Sequence, residues 1–204
     1  MKKIVSTLLL TLLPLQAYAA PTEDVEPVRS FTLQIGKASR QLTLDTPLTV
    51  PGSFTDPTVK LTAASTRRFP YGGISFEYPA QFTWEADVKS SAYKAWTLSG
   101  NDLKIMYSYS QVPIDPRSYA EKIGQKFPGG MSAIQSKEFE LGSGKTAGIE
   151  FTLKIGSYSM RYRTIQLKLK SGYGLLSIQD ADNDGMGSTE GAEIPRILKS
   201  LQVD

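Results

Sequence analysis

From Leu103 to Tyr109, apolar and polar residues take turns. Leu103, Ile105, Tyr107 and Tyr109 fall on one side, and Lys104, Met106 and Ser108 on the other. A repeat of two marks a strand whose two faces meet different surroundings. The run YKAWTLS (93–99) comes before it, and Gly100-Asn101-Asp102 between them forms a hairpin turn. The same alternation marks ISFEY (74–78), which stops at Pro79. It also marks GIEFTLKI (148–155), through Ile149, Phe151, Leu153 and Ile155. AIQSKEFEL (133–141), SMRYRTIQLKLK (159–170) and GLLSIQ (174–179) complete the strands, and a loop carrying Phe82 and Trp84 follows Pro79.

A helical repeat appears twice. In PRSYAEKIGQKF (116–127), Tyr119, Ile123 and Phe127 share a side. Asp115 is placed to cap the free N–H groups, Pro116 suits the first turn, and Pro128-Gly129-Gly130 ends the helix. In IPRILKSLQ (194–202), Ile194, Ile197, Leu198 and Leu201 turn inward. Ahead of this region lie three short β-like runs, FTLQI (31–35), RQLTL (40–44) and TVKLTA (58–63). Gly36-Lys37 and Pro51-Gly52 separate them. The expected fold class is α+β, an antiparallel sheet flanked by helices in residues 67–204, with a small N-terminal β element in 31–66. Residues 20–30, APTEDVEPVRS, are rich in proline and acid and read as a flexible leader.

The first 19 residues carry a different pattern. Lys2 and Lys3 precede an apolar run from Ile4 to Leu15, and Ala17-Tyr18-Ala19 fits the small-x-small cleavage rule. The apolar run is too short to span a bilayer and contains Pro14. A signal peptide 1–19, cleaved near Ala19, makes the expected protein periplasmic or secreted. No later stretch is apolar enough to cross a membrane. The formal charge of +3 includes Lys2 and Lys3, so their removal leaves +1. That balance gives no pull toward nucleic acid.

The chain has no cysteine and no histidine. Disulfides, Ser-His-Asp and Cys-His nucleophiles and nearly all structural zinc sites are therefore excluded. Carboxylate, lysine and tyrosine chemistry and oxygen-ligand metals remain.

The strongest chemical motif is DADNDG. Asp180, Asp182 and Asp184 stand at positions 1, 3 and 5 of an EF-hand-like loop, with Gly185 at 6 and the Met186 carbonyl available at 7. Position 12 is Gly191 where the loop needs glutamate, and a strand precedes it where an EF-hand has a helix. An acidic turn that sets carboxylates near the last helix is the preferred reading. A calcium loop built on Asp180, Asp182 and Asp184 is the alternative, and calcium is the only candidate cofactor. GSGKT (142–146) has Phe139 where a phosphate loop needs glycine, so it reads as a hairpin turn. Arg161 and Arg163 share a strand face that continues into Ile165, Leu167 and Leu169. That face either passes from exposed to buried or contains a bulge. Tyr93, Trp96, Tyr107, Tyr109, Tyr158 and Tyr162 fall on predicted strands, as sheet packing or as a binding surface.

YGGISFEYPAQFTWE (71–85), the hairpin with Trp96 and Tyr107, and the ending GLLSIQ…IPRILKSLQV (174–203) together resemble the PsbP-like family. That family also takes in DcrB-type periplasmic proteins. The resemblance covers about 71–203. It implies an α/β/α sandwich and non-enzymatic work, binding to or stabilising a larger assembly. The chain departs from the DcrB type in lacking a lipid-anchor cysteine, and histidine-mediated metal contacts of the family have no counterpart here. The expected function is thus an exported, non-enzymatic protein that binds a protein partner or helps maintain an assembly in the cell envelope. A calcium-stabilised binding module is one alternative. A hydrolase using carboxylates such as Asp102, Asp115 or Glu150 is another.

Overall fold

The computed structural model describes residues 22–42, 47–52, 57–181 and 187–204. The signal segment 1–19 lies outside them. The first strands are β1 (Phe31–Ile35), β2 (Ala38–Leu42) and β3 (Val59–Ala63), then β4 (Thr66–Phe69), β5 (Ile74–Pro79) and β6 (Thr83–Asp87). The central hairpin is β7 (Tyr93–Ser99) with β8 (Leu103–Ser110), followed by the helix α1 (Pro116–Gln125). Then come β9 (Gln135–Leu141), β10 (Gly144–Ile155), β11 (Tyr158–Lys168) and β12 (Tyr173–Ala181). A 3-10 turn, Glu190–Glu193, leads into α2 (Ile194–Ser200), and β13 (Gln202–Val203) ends the chain.

All strand pairs are antiparallel and fall into three sheets. The main sheet has seven strands in the order β6-β7-β8-β12-β11-β10-β9. A second sheet is ordered β13-β5-β4, and a third β2-β1-β3. The expected α/β/α sandwich is not what forms. Of the described residues 51% are strand and 12% helix, with only two short α-helices. The layer over one face of the main sheet is mostly the β4-β5 ribbon, not helix. There Phe69, Ile74, Phe76 and Tyr78 pack on Trp96, Ile105, Tyr107, Ile165, Leu176 and Ile178. α2 is only seven residues long and fills one side of that layer, against β5 and β9. On the opposite face α1 packs mainly on β10 and β11, placing Ala120 over Ile149, Phe151, Leu153 and Tyr162, while Tyr119 reaches Ser177 of β12.

The local signals for α1 act as expected. Asp115 Oδ2 accepts from the Ser118 N–H at 2.7 Å, and this bond holds the Asp115 carboxyl below the ordinary aspartate range.

The core is built around aromatic rings. Trp96 stacks on Tyr107 with centroids 5.6 Å apart, and Phe69 meets both rings edge-on. Tyr107 donates its hydroxyl proton to the Gly72 carbonyl at 2.6 Å. Gly72 has φ +62°, and a Cβ there would stand 2.7 Å from Tyr107 and 3.0 Å from Trp96, so both backbone and space demand glycine. Burial raises the Tyr107 phenol well above its ordinary value and pushes that of Tyr78 up to about 12, while the nearby Arg67 charge opposes the Tyr78 shift. The Tyr78 hydroxyl and Arg67 Nε are buried without a hydrogen bond.

The segment 22–30, acidic and proline-containing, lies on this aromatic cluster. Trp96 Nε1 donates to the Glu23 carbonyl at 2.7 Å, Trp84 Nε1 to that of Asp24 at 3.3 Å, and the Tyr71 hydroxyl to that of Val25 at 2.7 Å. Glu23 pairs with Lys94, and Glu26 with Arg67. The leader's backbone thus supplies acceptors for three buried or half-buried aromatic donors that would otherwise be left without partners.

Candidate functional site

The acidic loop begins where β12 ends. Asp182 and Asp184 lie outside the described residues. Asp180 is 2% exposed. Its Oδ1 accepts from the Ser188 hydroxyl at 2.6 Å and from the Ser188 N–H at 3.2 Å. Its Oδ2 stands 3.8 Å from Arg163 Nη1. A Cβ on Gly187 or Gly191 would come within 2.8 Å of this carboxylate, so two glycines let the chain close over it. Asp180 therefore ties the loop's return to β11 and to the turn that starts α2. Among the described residues no group of three or more acidic side chains could hold a metal ion.

Glu190 does similar work from the same turn. Its Oε2 accepts the N–H groups of Asp102 at 2.8 Å and Leu103 at 3.0 Å, which fixes the β7–β8 turn to the base of α2. Neither Ser188 nor Glu190 stands out in the sequence as a partner of these groups. Nothing local relates Glu190 to a turn 88 residues earlier.

The carboxylates weighed as hydrolytic groups do not come together. Asp102 lies in the β7–β8 turn beside Glu190, whereas Asp115 caps α1 on the other side of the sheet. Glu150, in the middle of β10, is held between two cations. Lys137 Nζ lies 3.1 Å from both of its oxygens, and Arg163 Nε lies 3.0 Å from Oε2. Charge-assisted bonds from both cations fix this carboxylate in place.

Arg161 and Arg163 do share a face. β11 keeps an unbroken register with both β10 and β12, so no bulge intervenes. The face passes from these charged residues to Ile165 and Leu167, both buried. GSGKT contributes the β9–β10 turn, as its spacing suggests.

The aromatic residues do not form one groove. Trp96 and Tyr107 belong to the core, and Tyr162 stacks on Phe151 at 4.7 Å under α1. Tyr109 is half-buried with Lys94 over its ring. Tyr93 and Tyr158 are exposed, at the start of β7 and at the β10–β11 turn.

The remaining candidate is the β2-β1-β3 sheet. Residues directly opposite one another share a face. Phe31 pairs with Leu42 and Ala63, Leu33 with Arg40 and Leu61, and Ile35 with Ala38 and Val59. That face is apolar except for Arg40. The other face carries Thr32, Gln34, Ser39, Gln41, Lys60 and Thr62. No residue of the three strands is buried or belongs to a core cluster, and Val59 and Leu61 are each 59% exposed. Two-sided patterning without a second layer is unusual, because an amphipathic sheet gains stability only by covering its apolar side.

Neither the known family models nor the curated proteins contain a match to this chain.

The Asp180 contacts generate a test. Asp180→Ala removes a buried carboxylate that accepts two hydrogen bonds from Ser188, while Arg163 keeps Glu150, and should cost about 1.5–3 kcal/mol of unfolding free energy. Ser188→Ala, which removes one hydrogen bond, should cost about 1 kcal/mol. Denaturant titration of the two variants measures both. An Asp180→Ala change as mild as an ordinary surface substitution would refute the tying role.

Proposed function

We propose that the chain is an exported, non-enzymatic binding protein of the cell envelope, and that it holds a protein partner on the apolar face of its N-terminal sheet. The observation that carries this reading is the sidedness of β1, β2 and β3. One face is apolar and the other polar, yet nothing among the described residues buries the apolar one. The dispersal of Asp102, Asp115 and Glu150, which leaves no acid–base pair among them, points the same way. The pattern of residues 1–19 supports export, and no helix among the described residues is long and apolar enough to cross a membrane.

The size of the face favours a different protein over a second copy. Three five-residue strands at ~3.3 Å per residue and ~4.8 Å spacing cover a plan area of roughly 240 Å². A stable dimer commonly buries about 800 Å² on each partner. A partner that also touches the surrounding surface meets that requirement more readily than two small faces meeting alone.

A photo-crosslinking side chain at position 61, compared with one at position 60 on the opposite face, tests this in cells that export the chain. The expected result is an adduct to a different protein from 61 and none from 60. Equal labelling from both positions, or an adduct only to a second copy, would refute the reading.

The spacing of Asp180, Asp182, Asp184 and Gly185 favours a second reading, a module stabilised by calcium. Calcium at a hundred times its dissociation constant would add about 2.7 kcal/mol and raise the melting point by several degrees, with magnesium giving no rise. An unchanged melting point would leave an acidic turn.

A further inference from the structure

α2 roofs the edge of the main sheet, and between them lies a cavity of about 290 Å³. Phe139, Ile194 and Leu198 give it an apolar lining, and Lys137, Arg163 and Lys199 bring three cations to it. Glu138 and Glu140 also border the cavity, but they alternate with Lys137 and Phe139 along β9. Their side chains therefore leave on the other face of the sheet, where Glu138 reaches Lys145 at 3.9 Å.

The cations are not fully balanced. Lys137 and Arg163 share one carboxylate, Glu150. Asp180 is 3.8 Å from Arg163 Nη1, and that buried nitrogen makes no hydrogen bond. Lys199 has no ion-pair partner among the described residues. Two carboxylates thus face three cations, leaving one positive charge beside an apolar surface. The surplus charge rests on Lys199, an exposed side chain at the rim of the cavity.

We propose that this cavity binds a small amphipathic monoanion. Its acidic head sits by Arg163 and Lys199, and its apolar body lies on Phe139, Ile194 and Leu198. At roughly 30 Å³ for each water-sized group, the cavity takes about ten heavy atoms. A medium-chain carboxylate has that size. The site is separate from the N-terminal sheet, so the partner proposal can fail without affecting this one.

Octanoate, with eight carbons and two oxygens, is the probe, and octanol of the same chain length is its uncharged control. Methyl NMR of the full chain reads the result. The expected outcome is a saturable shift of the Ile194 and Leu198 methyls with octanoate, and binding at least tenfold weaker with octanol. Lys199→Glu alters an exposed side chain. It should weaken octanoate at least tenfold and leave the melting point unchanged. No saturable shift up to the solubility of octanoate would overturn the site. Equal binding of octanol, or octanoate binding unaltered by Lys199→Glu, would overturn the anionic head. Shifts confined to methyls elsewhere would overturn the location.

Discussion

The stack of Trp96 on Tyr107 is the contact on which the other layers depend. Each ring comes from one strand of the central hairpin, and each carries a polar tip that must find a partner once buried. Tyr107 finds the Gly72 carbonyl, which brings the β4–β5 connection down onto the main sheet. Trp96 finds the Glu23 carbonyl, which brings the leader with it. An aromatic pair adds only about 0.5–1.5 kcal/mol beyond its burial, whereas an unpaired buried donor costs about 1–3 kcal/mol. The polar tips, more than the ring faces, therefore decide which segments must cover the stack.

That arrangement anchors the N-terminal sheet at its root, and among the described residues nothing fully buries its apolar face. Ala64 N–H donates to the Ser30 carbonyl at 2.8 Å, and Arg29 Nε to the Ala64 carbonyl at 2.8 Å. These bonds clamp the chain just before β1 to the chain just after β3. The body of the protein thus holds the base of a ribbon whose apolar face it does not bury. The clamped base keeps the face in place, and a bound partner would supply the second layer that steadies its strands.

Much of the strand content was legible in the sequence. β1, β7 and β8 have the bounds their residues suggest, because apolar and polar positions alternate between turn signals. Three strands escaped: TRRF is short and charged, TWEAD alternates Trp84 and Ala86 with polar residues but is only five residues long, and QV is two residues at the end of a helical pattern. Missing β4 and β6 made helices look like the covering layers, and the sandwich expectation followed. The contacts of residues 22–30 were hidden for a different reason. Trp84, Trp96 and Tyr71 hold the backbone carbonyls of this segment, and backbone recognition leaves no mark on side-chain composition. Asp180 was visible as a candidate, but its engagement was not. Ser188, eight residues on, is reached only through the turn that the glycines allow.

The most direct measurement of the central claim is amide hydrogen exchange of the free chain, comparing β1 with β12. Both are inner strands with hydrogen-bonded neighbours on each side. They differ in that β12 lies within the core, whereas no described residue fully buries the apolar face of β1. The account predicts that β1 amides exchange through local opening, far faster than those of β12, which wait for global unfolding. Protection of β1 equal to that of β12 would mean that its apolar face is already covered in the free chain, and would contradict the account.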